Sequence, residues 1–152
     1  MKYYIATSRH EIPKHNRLRK LLLDLGWKCT CDWTTRDFMQ PLNHQNSPTI
    51  AVSDIQGIQH ADIVIFLIPG GPGAHVELGA AIASNKIVVV SSETLDDAAL
   101  LQRGDLFYFY PGVNRHLGSV EDLAKWLLHR VDVLPRVLTS TTSSAGRRSS
   151  AL

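Results

Sequence analysis

Apolar positions along the chain alternate between two periods, and the switch from one to the other marks out the elements. "KYYIAT" (Lys2 to Thr7) is a short apolar run that predicts a strand. In "PKHNRLRKLLLDLG", Leu18, Leu21, Leu22 and Leu25 fall at i, i+3, i+4 and i+7, with Pro13 near the start and Gly26 just past the end, which predicts an amphipathic helix. "WKCTCDW" predicts a second strand, and the polar stretch from Thr34 to Pro48 has no period. A loop of that length in a compact domain suggests a lid or a binding role. The remaining segments predict, in order, helix "TIAVSDIQGIQH", strand "DIVIFLI", helix "AHVELGAAIAS", strand "KIVVVS", a short helical piece around Thr94 to Gln102, strand "LFYFY" and helix "SVEDLAKWLLHR". Ser119, with Asp122 three residues on, gives the last helix a start resembling a capping box.

The predicted strands are nearly continuous apolar runs, as expected when helices cover both faces of a sheet. Strand and helix alternate, so the expected fold is α/β: a flavodoxin-like, Rossmann-like three-layer sandwich with a parallel sheet of about five strands in the order 2-1-3-4-5. Residues 1–135 are expected to form one domain. The Ser/Thr-rich segment 136–152 has no period and is expected to be a disordered tail.

Composition narrows the partners. The 152 residues carry a formal charge of +2 and 44% hydrophobic residues, enough for a core and without the basic stripe that nucleic-acid binding needs. No apolar run is long enough to span a bilayer, and "MKYYIATSRH" lacks a signal-peptide pattern, so a cytoplasmic protein without membrane or nucleic-acid partners is expected. Cys29 and Cys31 are read as packing thiols. His10, His15, His44, His60, His116 and His129 show no metal-ligand spacing, and no metal or organic cofactor is expected.

In a sheet of this order, ligands bind beyond the carboxyl ends of the strands, between the first and third. The loops there are "TSRHE" and "PGGPGAHVE". Gly70, Gly71 and Gly73 allow close backbone approach and leave amides at a helix start, yet no Gly-x-Gly-x-x-Gly follows the first strand. Glu77, in the early turns of its helix, is expected to stay anionic through the helix dipole, as a nucleophile must; a plain helix cap is the alternative. It would repel a phosphate on its own turn, which directs a phosphate toward Thr7, Ser8 and Arg9. Asp54 falls in the apolar stripe formed by Ile50, Gly57, Ile58 and Ala61, near a helix start at the same edge of the sheet. A solvated or capping aspartate is one reading of it. The other is a pair of carboxylates converging on one pocket, the arrangement that breaks glycosidic bonds through a covalent sugar–enzyme intermediate.

The order and spacing of "YYIATSR", of Asp54 in "SDIQGIQHADIVIFLI", and of the glycine-rich turn into "GAHVELGAA" resemble the nucleoside 2-deoxyribosyltransferase superfamily, which includes the deoxynucleoside 5'-monophosphate N-glycosidases. The resemblance covers about Lys2 to Val90. It implies Glu77 as nucleophile, Asp54 as second carboxylate that protonates the departing base, Tyr3 as the active-site tyrosine with Tyr4 as the less favoured choice, and a 5'-phosphate held by Thr7, Ser8 and Arg9. His75 stands beside the motif where an aromatic is usual and, with Gly70, Gly71 and Gly73, is an expected substrate-binding residue, while the phosphate-side serine of the glycine loop is replaced by "GGPG". Trp33, Asp37 and Phe38 are candidates to sandwich a base, with lid packing without base contact as the alternative. A small-molecule nucleoside or nucleotide is the implied partner, and a homodimer or higher homo-oligomer the implied assembly, with "FYFYPG" as a neighbouring edge. "PGGPGAHVE" also looks like the motif of cytokinin-type phosphoribohydrolases, and the TIR-type NAD hydrolases are related in chemistry. Outside enzymes, the same architecture fits a nucleotide-binding sensor.

Overall fold

The computed structural model describes residues 1–36 and 42–137. Among them, five strands form one all-parallel sheet: β1 (Lys2–Ala6), β2 (Lys28–Cys29), β3 (Ile63–Leu67), β4 (Ile87–Ser92) and β5 (Val113–Leu117), in the spatial order β2-β1-β3-β4-β5. This is the expected flavodoxin-like order. The helices are α1 (Ile12–Asp24), α2 (Ser47–His60), α3 (Pro72–Ala83), α4 (Asp97–Gln102) and α5 (Val120–Arg130).

The strand period of two divides the core into halves. Tyr3 and Ile5 of β1, Ile63, Ile65 and Leu67 of β3, and Val89 of β4 pack with Leu18 and Leu22 of α1 and Leu123 and Leu127 of α5. Tyr4, Ala6, Val64, Phe66, Val88 and Val90 point the other way, onto Ile58 of α2, Leu78 and Ala81 of α3, and Leu100 of α4. Every residue of β3 and β4 is buried, because helices cover both faces. Ser119 caps α5 by accepting from Asp122 N at 3.2 Å, as its sequence predicts.

Three expectations change. "LFYFY" is not a strand: Leu106–Phe109 is a 3-10 turn, and the fifth strand is the following Val113–Leu117. The edge strand VNRHL is only partly covered, with the burial of its residues alternating, so its apolar signal is weak, while Leu106 and Phe107 are exposed despite their chemistry. "WKCTCDW" pairs only through Lys28 and Cys29 before the chain turns away. Finally, Arg136 and Val137 follow the fold rather than leave it: Val137 is fully buried and its N–H donates to Lys86 O. The rest of the expected tail, 138–152, lies outside the described residues, as do Asp37 and Phe38.

Candidate active site

Four segments meet at the carboxyl edge of the sheet around a cavity of about 590 Å³. They are the loop after β1, the turn after β2, the start of α2 and the start of α3. The first is tied down by Thr7, whose hydroxyl donates to Leu67 O at 3.0 Å, with Pro69 O at 3.2 Å, and by Ser8 N–H, which donates to Pro69 O. Ser8 Oγ accepts from His10 N–H. Thr7, Ser8 and Arg9 all line the cavity, as do Gly71 and Gly73 at the start of α3.

Glu77 faces this cavity from the second turn of α3. Tyr4 donates its hydroxyl to Glu77 Oε1 at 2.9 Å. Burial, then the charges of Glu77 and Asp54, push the Tyr4 hydroxyl well above its ordinary range, so it is a donor at any physiological pH. The tyrosine expected here was Tyr3. Adjacent residues in a strand point to opposite faces, and Tyr3 lies on the α1 side, where its hydroxyl reaches Arg19 O at 3.3 Å. Tyr4 is the tyrosine that meets the carboxylate.

The expected charge of Glu77 also changes. It lies beyond the first turn, where the dipole is strong, and is half-buried against Tyr4. Burial raises its pKa from 4.5 to about 8; the Tyr4 hydrogen bond and Arg36 pull it down, and Asp54 pushes it up. At neutral pH this environment favours the protonated form of Glu77.

Asp54 lines the same cavity from α2, and its carboxylate is held by Arg36: Nη2 donates to Oδ1 at 2.5 Å and Nη1 to Oδ2 at 3.0 Å. Neither oxygen is left without a donor. Asp54 reaches this depth because α2 packs closely on β1. A Cβ added at Gly57, one turn on from Asp54, would sit 2.6 Å from Cys31 Cβ and 3.1 Å from the Tyr4 ring. Glycine alone permits that approach.

Arg36 was not among the residues singled out in the sequence, because it lies in the aperiodic stretch after Thr34. Its placement is local chemistry. Asp32 caps the 3-10 turn Trp33–Thr35 by accepting from Thr34 N and Oγ1, and Arg19 pairs with Asp32 at 3.1 Å. Trp33 Nε1 donates to Ile5 O at 2.8 Å, and the buried His15 ring meets Trp33 edge-on at 5.0 Å. Arg36 leaves this braced turn directly toward Asp54.

Two expected binding residues stand elsewhere. The His75 ring turns to the far side of α3, where Nε2 meets the Tyr108 hydroxyl at 2.8 Å and Nδ1 meets Gly71 O at 2.9 Å. From Glu77 it is two residues back, about 200° around the helix, so the two cannot share a face. Gly70 does not line the cavity; its Cα abuts Phe66, whose ring would lie 2.1 Å from an added Cβ. Among the described residues, no group of three or more His, Cys, Asp or Glu side chains is placed to hold a metal ion, and no helix is long and apolar enough to cross a membrane.

No family model matches the chain, and no curated protein matches it either. Solved structures do. The CMP N-glycosidase BcmB of Clostridium botulinum is similar at a TM-score of 0.59 and 20% identity, over 85% of this chain and 98% of that one. A 2-deoxyribosyltransferase of Bacillus psychrosaccharolyticus is similar at 0.56 and 16% identity, over 92% and 100%. A conserved protein of Enterococcus faecalis V583 is similar at 0.54 and 19% identity, over 86% and 98%. This chain shares their fold along nearly the whole length of each.

Proposed function

We propose that this protein cleaves the N-glycosidic bond of a nucleoside or nucleoside 5'-monophosphate, passing the sugar from Glu77 to water or to a second base. The observation that carries the reading is the Tyr4–Glu77 hydrogen bond facing, across one cavity, the Asp54–Arg36 pair. That two structures of the same fold are a CMP N-glycosidase and a 2-deoxyribosyltransferase supports it.

In this reading Glu77, once deprotonated, attacks C1' while the base departs with the electrons of the C1'–N bond. Tyr4 donates to one carboxylate oxygen and leaves the other to react. Thr7, Ser8, Arg9 and the α3 amides at Gly71 and Gly73 receive the 5' end of the substrate, where backbone donors and a guanidinium suit a phosphate. Water or a second base then attacks C1' from the face the first base left, so the configuration is retained overall.

The test is a panel of ribo- and deoxynucleosides, their 5'-monophosphates and NAD, with and without a free acceptor base, scored by chromatography for wild type and Glu77→Gln. Base release or exchange that disappears in the variant is expected. Equal tight binding of a nucleotide by both proteins, with no product from either, would replace the enzyme with a sensor.

A further inference from the structure

The Asp54–Arg36 pair raises a chemical question within the glycosidase reading. Both Asp54 oxygens accept from Arg36, so within this pair the guanidinium is the donor and the carboxylate the acceptor. The guanidinium is not exhausted. Of its five N–H donors, Nη1 and Nη2 serve Asp54 and Nη2 also reaches Cys31 Sγ at 3.5 Å. Its remaining two donors meet no acceptor among the described residues, and Arg36 itself lines the cavity.

Its surroundings suit a base better than a sugar phosphate. Trp33 of the turn after β2, Leu42 of the segment before α2 and Ile50 of α2 supply the apolar walls on the Arg36 side. The backbone-rich end, Ser8, Gly71 and Gly73, belongs to the loop after β1 and the start of α3. Apolar walls suit a flat heterocycle, and backbone amides at a helix start suit a phosphate.

Resting on the proposed function, we propose that Arg36 is the leaving-group residue: it donates to the acceptor atom adjacent to the glycosidic nitrogen of the base and stabilises the negative charge that grows there. Asp54 is then a positioning residue that aims the guanidinium. The substrate class proposed is a nucleoside or nucleotide whose base carries a carbonyl oxygen on the carbon next to the glycosidic nitrogen, as 2-oxopyrimidines do, because an oxygen there shares the charge left on that nitrogen. The step balances without a protonated aspartate. The C1'–O bond to Glu77 forms as the C1'–N bond breaks, the electron pair passes to the ring nitrogen and is shared with the carbonyl oxygen facing Arg36, and the base anion later takes up the proton that the attacking water gives up.

Wild type, Arg36→Gln and Arg36→Lys are compared on 2-oxopyrimidine 5'-monophosphates and nucleosides bearing 5-substituents that span the acidity of the free base. In wild type, log kcat is expected to depend only weakly on that acidity. Arg36→Gln is expected to steepen the dependence, with losses of about 10²–10³-fold for the least acidic leaving bases and under about tenfold for the most acidic, the scale expected for removing a donor aimed at developing charge. Arg36→Lys keeps a charge beside Asp54 and guards against loss of folding, checked by an unchanged unfolding midpoint; it is expected to recover part of the slope. A uniform loss across all leaving groups in both variants, while Glu77→Gln still abolishes base release, overturns the role of Arg36 and leaves the glycosidase intact. No Glu77-dependent base release from wild type on any substrate overturns both.

Discussion

Replacing Glu77 with glutamine isolates the energetic consequence of placing a carboxyl group against Tyr4 and Asp54. An unfolded chain would ionise Glu77 near 4.5, whereas the folded pocket holds its proton until about 8. Between those two values the native state binds one more proton than the unfolded state, so stability falls as pH rises. The favourable contribution is complete below about 4.5 and gone above about 8. At 1.36 kcal/mol for each pH unit of displacement, the ceiling is ~4–5 kcal/mol. The cavity mouth admits water to a side chain that is only half-buried, which reduces the expectation to ~2 kcal/mol. Glutamine has the same shape, accepts the Tyr4 hydrogen bond and does not titrate. Glu77→Gln should therefore match wild type near pH 4.5 and exceed it by ~2 kcal/mol at pH 9. Urea unfolding followed by tryptophan fluorescence at a series of pH values measures this directly, since all other titrations cancel in the difference. A difference that does not change with pH, or a variant less stable at pH 9, would refute the raised pKa and the reasoning built on it.

Other outcomes follow from the same geometry. With Glu77 required as the anion, kcat/KM for base release should rise about tenfold per pH unit up to about 8 and level off above it, in a pH–rate profile of wild type. Tyr4→Phe removes a hydrogen bond that lowers the Glu77 pKa, so that profile should move upward by about 1–2 pH units, whereas Tyr3→Phe should leave its midpoint in place. Gly57→Ala drives a methyl group into Cys31 and Tyr4; a loss of ~1–3 kcal/mol in the unfolding free energy and a fall in kcat as Asp54 is pushed outward are expected. His75→Ala should lose ~1 kcal/mol of stability through its Tyr108 contact and keep kcat/KM within about twofold, measured side by side on the same substrate.

Periodicity was sufficient for the alternation of strand and helix through β4 and for the strand order expected of such a sheet. Buried parallel strands leave uninterrupted apolar runs, and helices leave a 3.6-residue stripe, both readable without coordinates. It also singled out the two carboxylates that line the cavity: Asp54 stands out as a charge inside an apolar stripe, and Glu77 as a charge among small residues after a glycine turn. Edge elements escaped, because β5 is covered only in part and its residues, Asn114, Arg115 and His116, carry no apolar signal. Three decisions belonged to tertiary structure alone. Which of two adjacent tyrosines meets Glu77 depends on which face of β1 lies under α3, a choice set by the register of the whole sheet rather than by the dipeptide. Whether Glu77 carries a proton depends on how much water Tyr4 and its neighbours exclude, which overrides a helix dipole that fades within a turn. That Arg36 enters the site at all depends on a turn in which Asp32 pairs with Arg19 of α1 and Trp33 donates to Ile5 O of β1, and such long-range contacts leave no periodic trace in the chain.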